Sequence, residues 1–459
     1  MTQFFPDVSK IQYEGIDTQN PFAYRFYNPD QIVLGKTMAE QLRLAVCYWH
    51  TFCWSGNDIF GEPTFSRPWL KAADPMQQAE DKLRAAFEFM SKLGLPFFTF
   101  HDRDVAPEGN SLQEYQKNLQ YIVEKMATEM QRTGIQLLWG TANLTNHRRY
   151  MAGAATNPDP EVFAYAVAQV KGVLDATHQL NGVNYVLWGG REGYDTLLNT
   201  SLRQEFDQLG RFLSMLVDYK HKIGFKGTLL IEPKPCEPSK HQYDFDTATV
   251  YACLQKYGLE KEFKVNIEAN HATLAGHSFT HEVAYACANH IFGSIDANTG
   301  DPQLGWDTDQ FPTDIHENAQ VIYHILQNGG FTTGGFNFDT KLRRQSIDLE
   351  DMFFAHIHGV DTLARSLLIA AQLIEKGELA KFTKNRYADW QEKFGSDILN
   401  GKMDVEKIAT HVLTNHLEPI PKSGRQEKLE SLISAELVSF CAPQQCPPSS
   451  KALKTKDFL

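Results

Sequence analysis

Gly227-Thr-Leu-Leu-Ile-Glu232, Phe263-Lys-Val-Asn-Ile-Glu268, Ile291-Phe-Gly-Ser-Ile-Asp296 and Gly334-Gly-Phe-Asn-Phe-Asp339 are four short runs of strand type, each closed by an acid. A core has no use for a carboxylate at the end of strand after strand. A metal site at the mouth of a barrel does. Four earlier runs have the same length and composition but other endings: Leu42-Arg-Leu-Ala-Val-Cys47, followed by Tyr48-Trp49-His50; Pro96-Phe-Phe-Thr-Phe-His101; Ile135-Gln-Leu-Leu-Trp-Gly-Thr141; and Val183-Asn-Tyr-Val-Leu-Trp188, followed by Gly189-Gly190-Arg191-Glu192. The chain therefore carries eight candidate strands.

Amphipathic segments lie between them. From Ser111 to Gly134, Leu112, Tyr115, Leu119, Ile122, Val123, Met126 and Met130 recur in steps that mark one face of a helix, and Gly134 is a natural stop. Glu161–Leu180, Ser201–Ile223, Asp246–Tyr257, His277–His290 and Thr313–Gln327 read the same way. Alternating strands and helices predict a parallel sheet under covering helices. Eight such units predict a (β/α)8 TIM barrel. A doubly wound open sheet competes, but no Gly-x-Gly-x-x-Gly turn follows the first strand. In a barrel the functional groups gather at the carboxyl ends of the strands, where these acids lie.

The chain has 459 residues, and at 42% hydrophobic and 22% charged it can bury a sizeable core. Barrel and N-terminal segment are expected over 1–345, and a C-terminal helical extension for subunit contacts over 346–436. A tail rich in Pro, Ser and Lys over 437–459 is expected to be disordered. A net charge of −12 disfavours a nucleic-acid partner. No run approaches the roughly 20 apolar residues of a membrane span, and the opening Met1-Thr-Gln-Phe-Phe-Pro-Asp7, without a charged stretch before an apolar one, leads to no expectation of a secretion signal. The seven cysteines are scattered without a Cys-x-x-Cys pair, which suits reduced thiols in a cytoplasmic protein and disfavours a Cys441–Cys446 disulfide.

Any one of these acids alone reads as a surface residue or a helix cap. Converging at one mouth, Glu232, Glu268, Asp296, Asp307, Asp309 and Asp339 would repel strongly unless neutralised, and two divalent cations would supply the missing charge. Oxygen-rich ligation selects hard cations such as Mg or Mn, and the one imidazole, His271, moves the preference slightly toward Mn or Co. Cys236, near Glu232, is a poor match for such a set. Glu268 and His271 stand three residues apart, so a strand end and the turn after it can offer both to one cation. Asp307 and Asp309 alternate in Gly305-Trp-Asp-Thr-Asp-Gln310, and in an extended loop both would point the same way.

His101 ends the second strand, with Asp104 three residues on. A carboxylate on Nδ1–H would fix the tautomer and leave Nε2 for the substrate; a structural histidine is the bland alternative. Lys234, in Glu232-Pro-Lys-Pro235, is either a buried counter-ion or, the favoured reading, a donor to a substrate oxygen. Trp139 and Trp188 end strands at the same mouth and suit the C–H faces of a sugar. Phe60 sits in the turn-rich loop Gly56-Asn-Asp-Ile-Phe-Gly61 and alone says nothing.

Several longer motifs arrive in order: Phe100-His-Asp-Arg-Asp-Val-Ala-Pro-Glu-Gly109, Leu138-Trp-Gly-Thr-Ala-Asn143, Val186-Leu-Trp-Gly-Gly-Arg-Glu-Gly193, Ile231-Glu-Pro-Lys-Pro235, Val265-Asn-Ile-Glu-Ala-Asn-His271, Gly293-Ser-Ile-Asp-Ala-Asn298 and Gly305-Trp-Asp-Thr-Asp-Gln-Phe-Pro312. With Asn337-Phe-Asp339 and Arg343-Arg-Gln-Ser346, the chain resembles xylose isomerase of the longer bacterial-type subgroup from about residue 5 to 435. The resemblance implies an aldose–ketose isomerase converting D-xylose to D-xylulose, with D-glucose a poorer substrate. It implies one cation on Glu232, Glu268, Asp296 and Asp339 and a second on Glu268, His271, Asp307 and Asp309. His101, oriented by Asp104, would open the sugar ring, Lys234 would meet an oxygen near the carbonyl, and Phe60 would wall the pocket of a neighbouring subunit in a homotetramer. The C-terminal extension would wrap a partner. A 1,2-hydride shift suits these residues, because the acids would be committed to cations and poor bases at C2.

Thr145 and Arg148 stand where the family pattern has Phe and Pro, Thr299 where it has Arg, and His358 where it has Gly. None is a proposed ligand, but Thr145 removes an aromatic near the mouth. Two other readings compete: an epimerase or phosphodiester-cleaving barrel, which needs more histidine ligands or a basic groove, and an inactive scaffold, against which the intact His101, Lys234 and ligand set argue.

Overall fold

Each of the eight runs forms a strand in the computed structural model, and the strands close into one parallel barrel in chain order. They are β1 (Ala45–Cys47), β2 (Phe97–His101), β3 (Gln136–Thr141), β4 (Asn184–Trp188), β5 (Thr228–Glu232), β6 (Phe263–Glu268), β7 (Phe292–Asp296) and β8 (Phe336–Phe338). Strands covered on both faces need little polar alternation, which is why they read as near-continuous apolar runs. Ala45, Phe97, Leu138, Trp139, Val186 and Leu230 pack together as a buried cluster.

Helices follow the strands: α1 (Pro75–Leu93), α2 (Leu112–Thr133), α3 (Pro160–Gln179), α4 (Leu202–Ile223), α5 (Thr247–Tyr257), α6 (Phe279–Ala288), α7 (Ile315–Gln327) and α8 (Leu349–Lys376). Side-chain caps set many of their starts: Ser111 accepts from Glu114 N, Asp246 from Thr249 N and Ser278 from His281 N. Gly134 ends α2 at φ 76°, a left-handed conformation glycine adopts without a Cβ penalty. Helix α1 was not anticipated from the sequence. Its buried face includes Ala79, Ala85 and Ala86, which dilute the apolar signal, although Asp74 caps it and Gly94 closes it.

The structure describes residues 3–439, so the Cys441–Cys446 pair and the expected tail from residue 440 onward lie outside the described residues. The described cysteines, Cys47, Cys53, Cys236, Cys253 and Cys287, are all free thiols. The chain divides into two compact units, Met1–Leu367 and Leu368–Leu459. The second carries α9 (Glu378–Arg386), α10 (Lys393–Leu399), α11 (Val405–Thr414) and α12 (Gln426–Ser439). Neither α9 nor α11 buries a side chain, and Val405, Leu413 and Ile420 are exposed. Among the described residues α8 alone is long and apolar enough to cross a membrane, yet 67% of its most apolar window is buried within the protein, as in a core helix.

Candidate metal centre

Strand register sets the acids at one level. Glu232 at the end of β5 pairs with Trp188 of β4, Glu268 of β6 pairs with Asp296 of β7, and Asp296 pairs with Asn337 of β8. Asp339 follows β8 directly, and Asp307 and Asp309 come from the loop after β7. His271 sits in the short helix Ala269–Leu274 that follows β6. Ligand atoms of Glu232, Glu268, Asp296 and Asp339 all lie within 4.8 Å of one another, as do those of Glu268, Asp307 and Asp309, and those of Glu232, Glu268 and His271. Glu268 belongs to all three groups. The structure thus brings all seven sequence-derived candidates together. Asp309 gets there differently from the expected extended loop: its φ is +44°, a left-handed conformation uncommon for a residue with a side chain.

Amide side chains hold the acids from behind. Asn266 donates to Glu232 (3.1 Å) and Asp296 (2.8 Å), Asn337 to Asp296 (2.8 Å), and Asn298 to Glu268 (2.7 Å) and Asp309 (3.2 Å). His271 Nδ1 lies 3.0 Å from the Pro233 carbonyl, which can only accept, so Nδ1 carries the proton. Nε2 then faces Glu268 Oε2 at 2.9 Å and Asp307 Oδ2 at 3.2 Å. A positive charge belongs there: either a proton on Nε2, or a cation that the Nε2 lone pair and both oxygens would share.

The acids feel that lack. Burial, reinforced by Asp296, raises Glu232 well above the ordinary range of a glutamate. Burial and the charges of Asp307, Asp339 and Asp309 do the same to Glu268. Asp296 is pushed up to about 7 by burial and by Asp339, and Asp309 is raised by burial and by Asp307. Two acids go the other way. Burial opposes the ionisation of Asp307, but Lys234 and His271 outweigh it and hold that carboxyl well below its usual range. At Asp339, His50 and Trp49 outweigh burial and lower the carboxyl. A buried set with this much negative charge, amides fixing its carboxylates and one imidazole nitrogen facing them, fits divalent cations.

The centre opens into a cavity of about 430 Å³ lined by His101, Asp104, Trp139, Trp188 and Lys234 as well as by acids. His101 Nδ1 lies 2.9 Å from Asp104 Oδ2, leaving Nε2 free of that bond. The carboxylate also accepts from the His101 backbone N–H at 2.8 Å. Lys234 is 4% exposed, and its Nζ donates to Asp307 Oδ2 at 2.7 Å and lies 5.4 Å from the Trp188 ring centre. Here it serves as a counter-ion to Asp307. Phe60 is 88% exposed and does not line the cavity of its own chain.

Other residues at the centre escaped the sequence reading. His50 Nε2 lies between Asp309 (3.2 Å) and Asp339 (3.1 Å), which lift the imidazole to about 9 against the opposing effect of burial. Trp49 donates to Asp339 at 2.7 Å, and Lys341 meets Asp309 at 2.7 Å. Glu237 accepts from the Asp307 backbone N–H at 2.9 Å. The only signal for His50 was its place just after β1, hidden behind two aromatics. Lys341 and Glu237 lie in loops whose course no local pattern predicts.

The family model described as the XylA2 C-terminal domain matches residues 383–435. The chain is 59% identical over 439 residues to a protein from Haemophilus influenzae (strain PittGG) named xylose isomerase, covering 96% of this chain and 100% of that one. It is 60% identical over 435 residues to the xylose isomerase of Actinobacillus succinogenes, covering 95% and 99%. Among solved structures, an L-ribulose 3-epimerase is similar with a TM-score of 0.49 at 14% identity, over 73% of this chain and 97% of that one. With sequence identity this high over nearly the full length of both relatives, this chain belongs to the xylose isomerase family.

Proposed function

We propose that this chain isomerises D-xylose to D-xylulose, and D-glucose to D-fructose more weakly. The observation that carries the reading is the buried acid centre at the end of a cavity that also presents His101 and two tryptophans. Two divalent cations per chain, Mg by preference with Mn or Co as substitutes, would be held by Glu232, Glu268, Asp296 and Asp339 and by Glu268, His271, Asp307 and Asp309. When bound, they supply positive charge that stabilises the oxyanion character of two neighbouring sugar oxygens.

The chain's own residues do the rest. His101, its Nδ1–H held by Asp104, moves a proton at the ring oxygen through Nε2 and so opens the pyranose. Trp139 and Trp188 pack the C–H face of the open chain and exclude water. Lys234 directs its ammonium at the oxygen next to the carbonyl while it balances Asp307. The acids at the mouth are committed to the cations and are poor bases at C2, so the hydrogen passes from C2 to C1 with its electron pair while the O2 hydroxyl proton is passed to O1; O2 becomes the ketose carbonyl and O1 a hydroxyl. A homotetramer completes the site, with Phe60 of the partner subunit walling the cavity; its exposure here supports that role. The bare helices α9 and α11 support an extension that covers a neighbouring chain.

Chelated protein incubated with D-xylose should form no ketose until Mg, Mn or Co is added. Full turnover in metal-stripped protein would end this reading.

A further inference from the structure

A second group of ligating side chains gathers away from the mouth, where α5 and α6 begin. His277 precedes α6 and His281 lies in its first turn, with their rings 4.9 Å apart at 36°. Glu282, the next residue, is 3% exposed. One ligand atom from each of His277, His281 and Glu282 lies within 4.8 Å of the other two.

The partners of these groups prepare them for a cation. Asp246 divides its carboxylate: Oδ1 caps α5 through Thr249 N at 2.7 Å, and Oδ2 meets His277 Nε2 at 3.1 Å. A carboxylate can only accept, so Nε2 carries a proton and Nδ1 is the nitrogen that can offer a lone pair to a cation. That carboxylate–imidazole pairing is the usual support behind a histidine ligand. Glu282 Oε2 is fixed by Thr247, which donates from its backbone N–H (2.8 Å) and its hydroxyl (2.6 Å), leaving Oε1 over. Among the described residues no hydrogen bond engages a ring nitrogen of His281. His281 is exposed and His277 half-buried, so solvent reaches the group.

We propose that His277, His281 and Glu282 bind one borderline divalent cation, of which Zn²⁺ is the type, with Asp246 positioning His277. Two imidazoles and one carboxylate favour Zn²⁺ over Mg²⁺, the reverse of the oxygen-rich mouth, so the two centres select different metals. Three protein ligands leave a fourth position for water. The bound cation ties the start of α6 to the start of α5 through His277 and Asp246.

Equilibrium dialysis of the Mg²⁺-loaded full chain against Zn²⁺, with Mg²⁺ in large excess, counts the Zn²⁺ bound per chain. Any exchange at the mouth is common to all proteins compared, so the difference reads this site alone. His281→Ala and His277→Ala should each bind about one Zn²⁺ fewer than the unsubstituted chain and lose its Zn²⁺-dependent rise in melting temperature. Their isomerase activity in Mg²⁺ should be unchanged. Equal Zn²⁺ counts in all three proteins, or the same loss in a variant of a histidine outside the group, His316→Ala in the first turn of α7, would overturn the site.

Discussion

Glu268→Gln should uncouple the stability of the metal-loaded protein from that of the metal-free one. Glu268 belongs to each of the three ligand groups at the mouth, so its loss touches every cation held there. A cation at a hundred times its Kd stabilises the native state by about 2.7 kcal/mol, so two sites contribute roughly 5 kcal/mol. Loss of a shared ligand that weakens each site about 100-fold brings the cation down to its Kd, where each contributes about 0.4 kcal/mol. The variant should therefore forfeit about 4–5 kcal/mol of metal-induced stability. Without metal the sign reverses. The folded carboxyl lies well above its unfolded value, so the native state holds the proton more tightly. Its ionisation costs no stability below about pH 4.3 and costs progressively more as pH rises toward the folded value. The amide removes that cost, so the metal-free variant at pH 7 should match or exceed the metal-free parent. Calorimetric unfolding of chelated and Mg-loaded samples between pH 5 and 8 measures both effects. A variant that kept most of the metal-induced gain would refute shared ligation. A chelated variant several kcal/mol weaker than its chelated parent would refute the electrostatic account.

Four further outcomes are expected. His101→Gln should slow turnover of cyclic xylose about 10²–10⁴-fold and leave open-chain substrate much less affected; equal slowing on both would remove His101 from ring opening. Burial opposes the charged form of His101 but Asp104 outweighs it and raises the imidazole, so Asp104→Asn should move the matching ionisation in the pH–rate profile to lower pH, and an upward shift would contradict the pairing. Asn298→Ala frees Glu268 and Asp309 from their common donor and should weaken cation binding about 10–100-fold by titration calorimetry; unchanged affinity would count against it. Glu192 accepts from the backbone N–H groups of Ala154, Ala155 and Thr156, so Glu192→Ala should cost about 3 kcal/mol or more in denaturant unfolding, and a change under 1 kcal/mol would show that the loop finds other acceptors.

The alternation of strand and helix was readable because each local pattern agreed with the closed barrel. Six of the covering helices announced themselves through apolar spacing or caps, and α8 lay in the stretch read as a C-terminal helical extension; α1 gave no such sign, since alanine buries well but marks a face weakly. The acids at the ends of β5, β6 and β7 were readable for a simple reason: a charge that ends an apolar run needs an external explanation. His50, Lys341 and Glu237 carried no such contrast, because each sits in an irregular segment where polar residues are ordinary. Asp307 and Asp309 were found by the right spacing and a wrong conformation, since the left-handed backbone at Asp309 belongs to the loop's tertiary path.

The order of residues alone determined that strands would alternate with helices and that acids would stand at the strand ends, because periodicity and chain termini of elements are local properties. Only the folded chain decided which atoms meet: barrel closure and register set Glu268 beside Asp296, and the loops after three different strands brought His50, Lys341 and Asn298 to the same carboxylate, Asp309. Coulomb energy and hydrogen bonding act through distances in space, and no count of residues along a chain contains those distances.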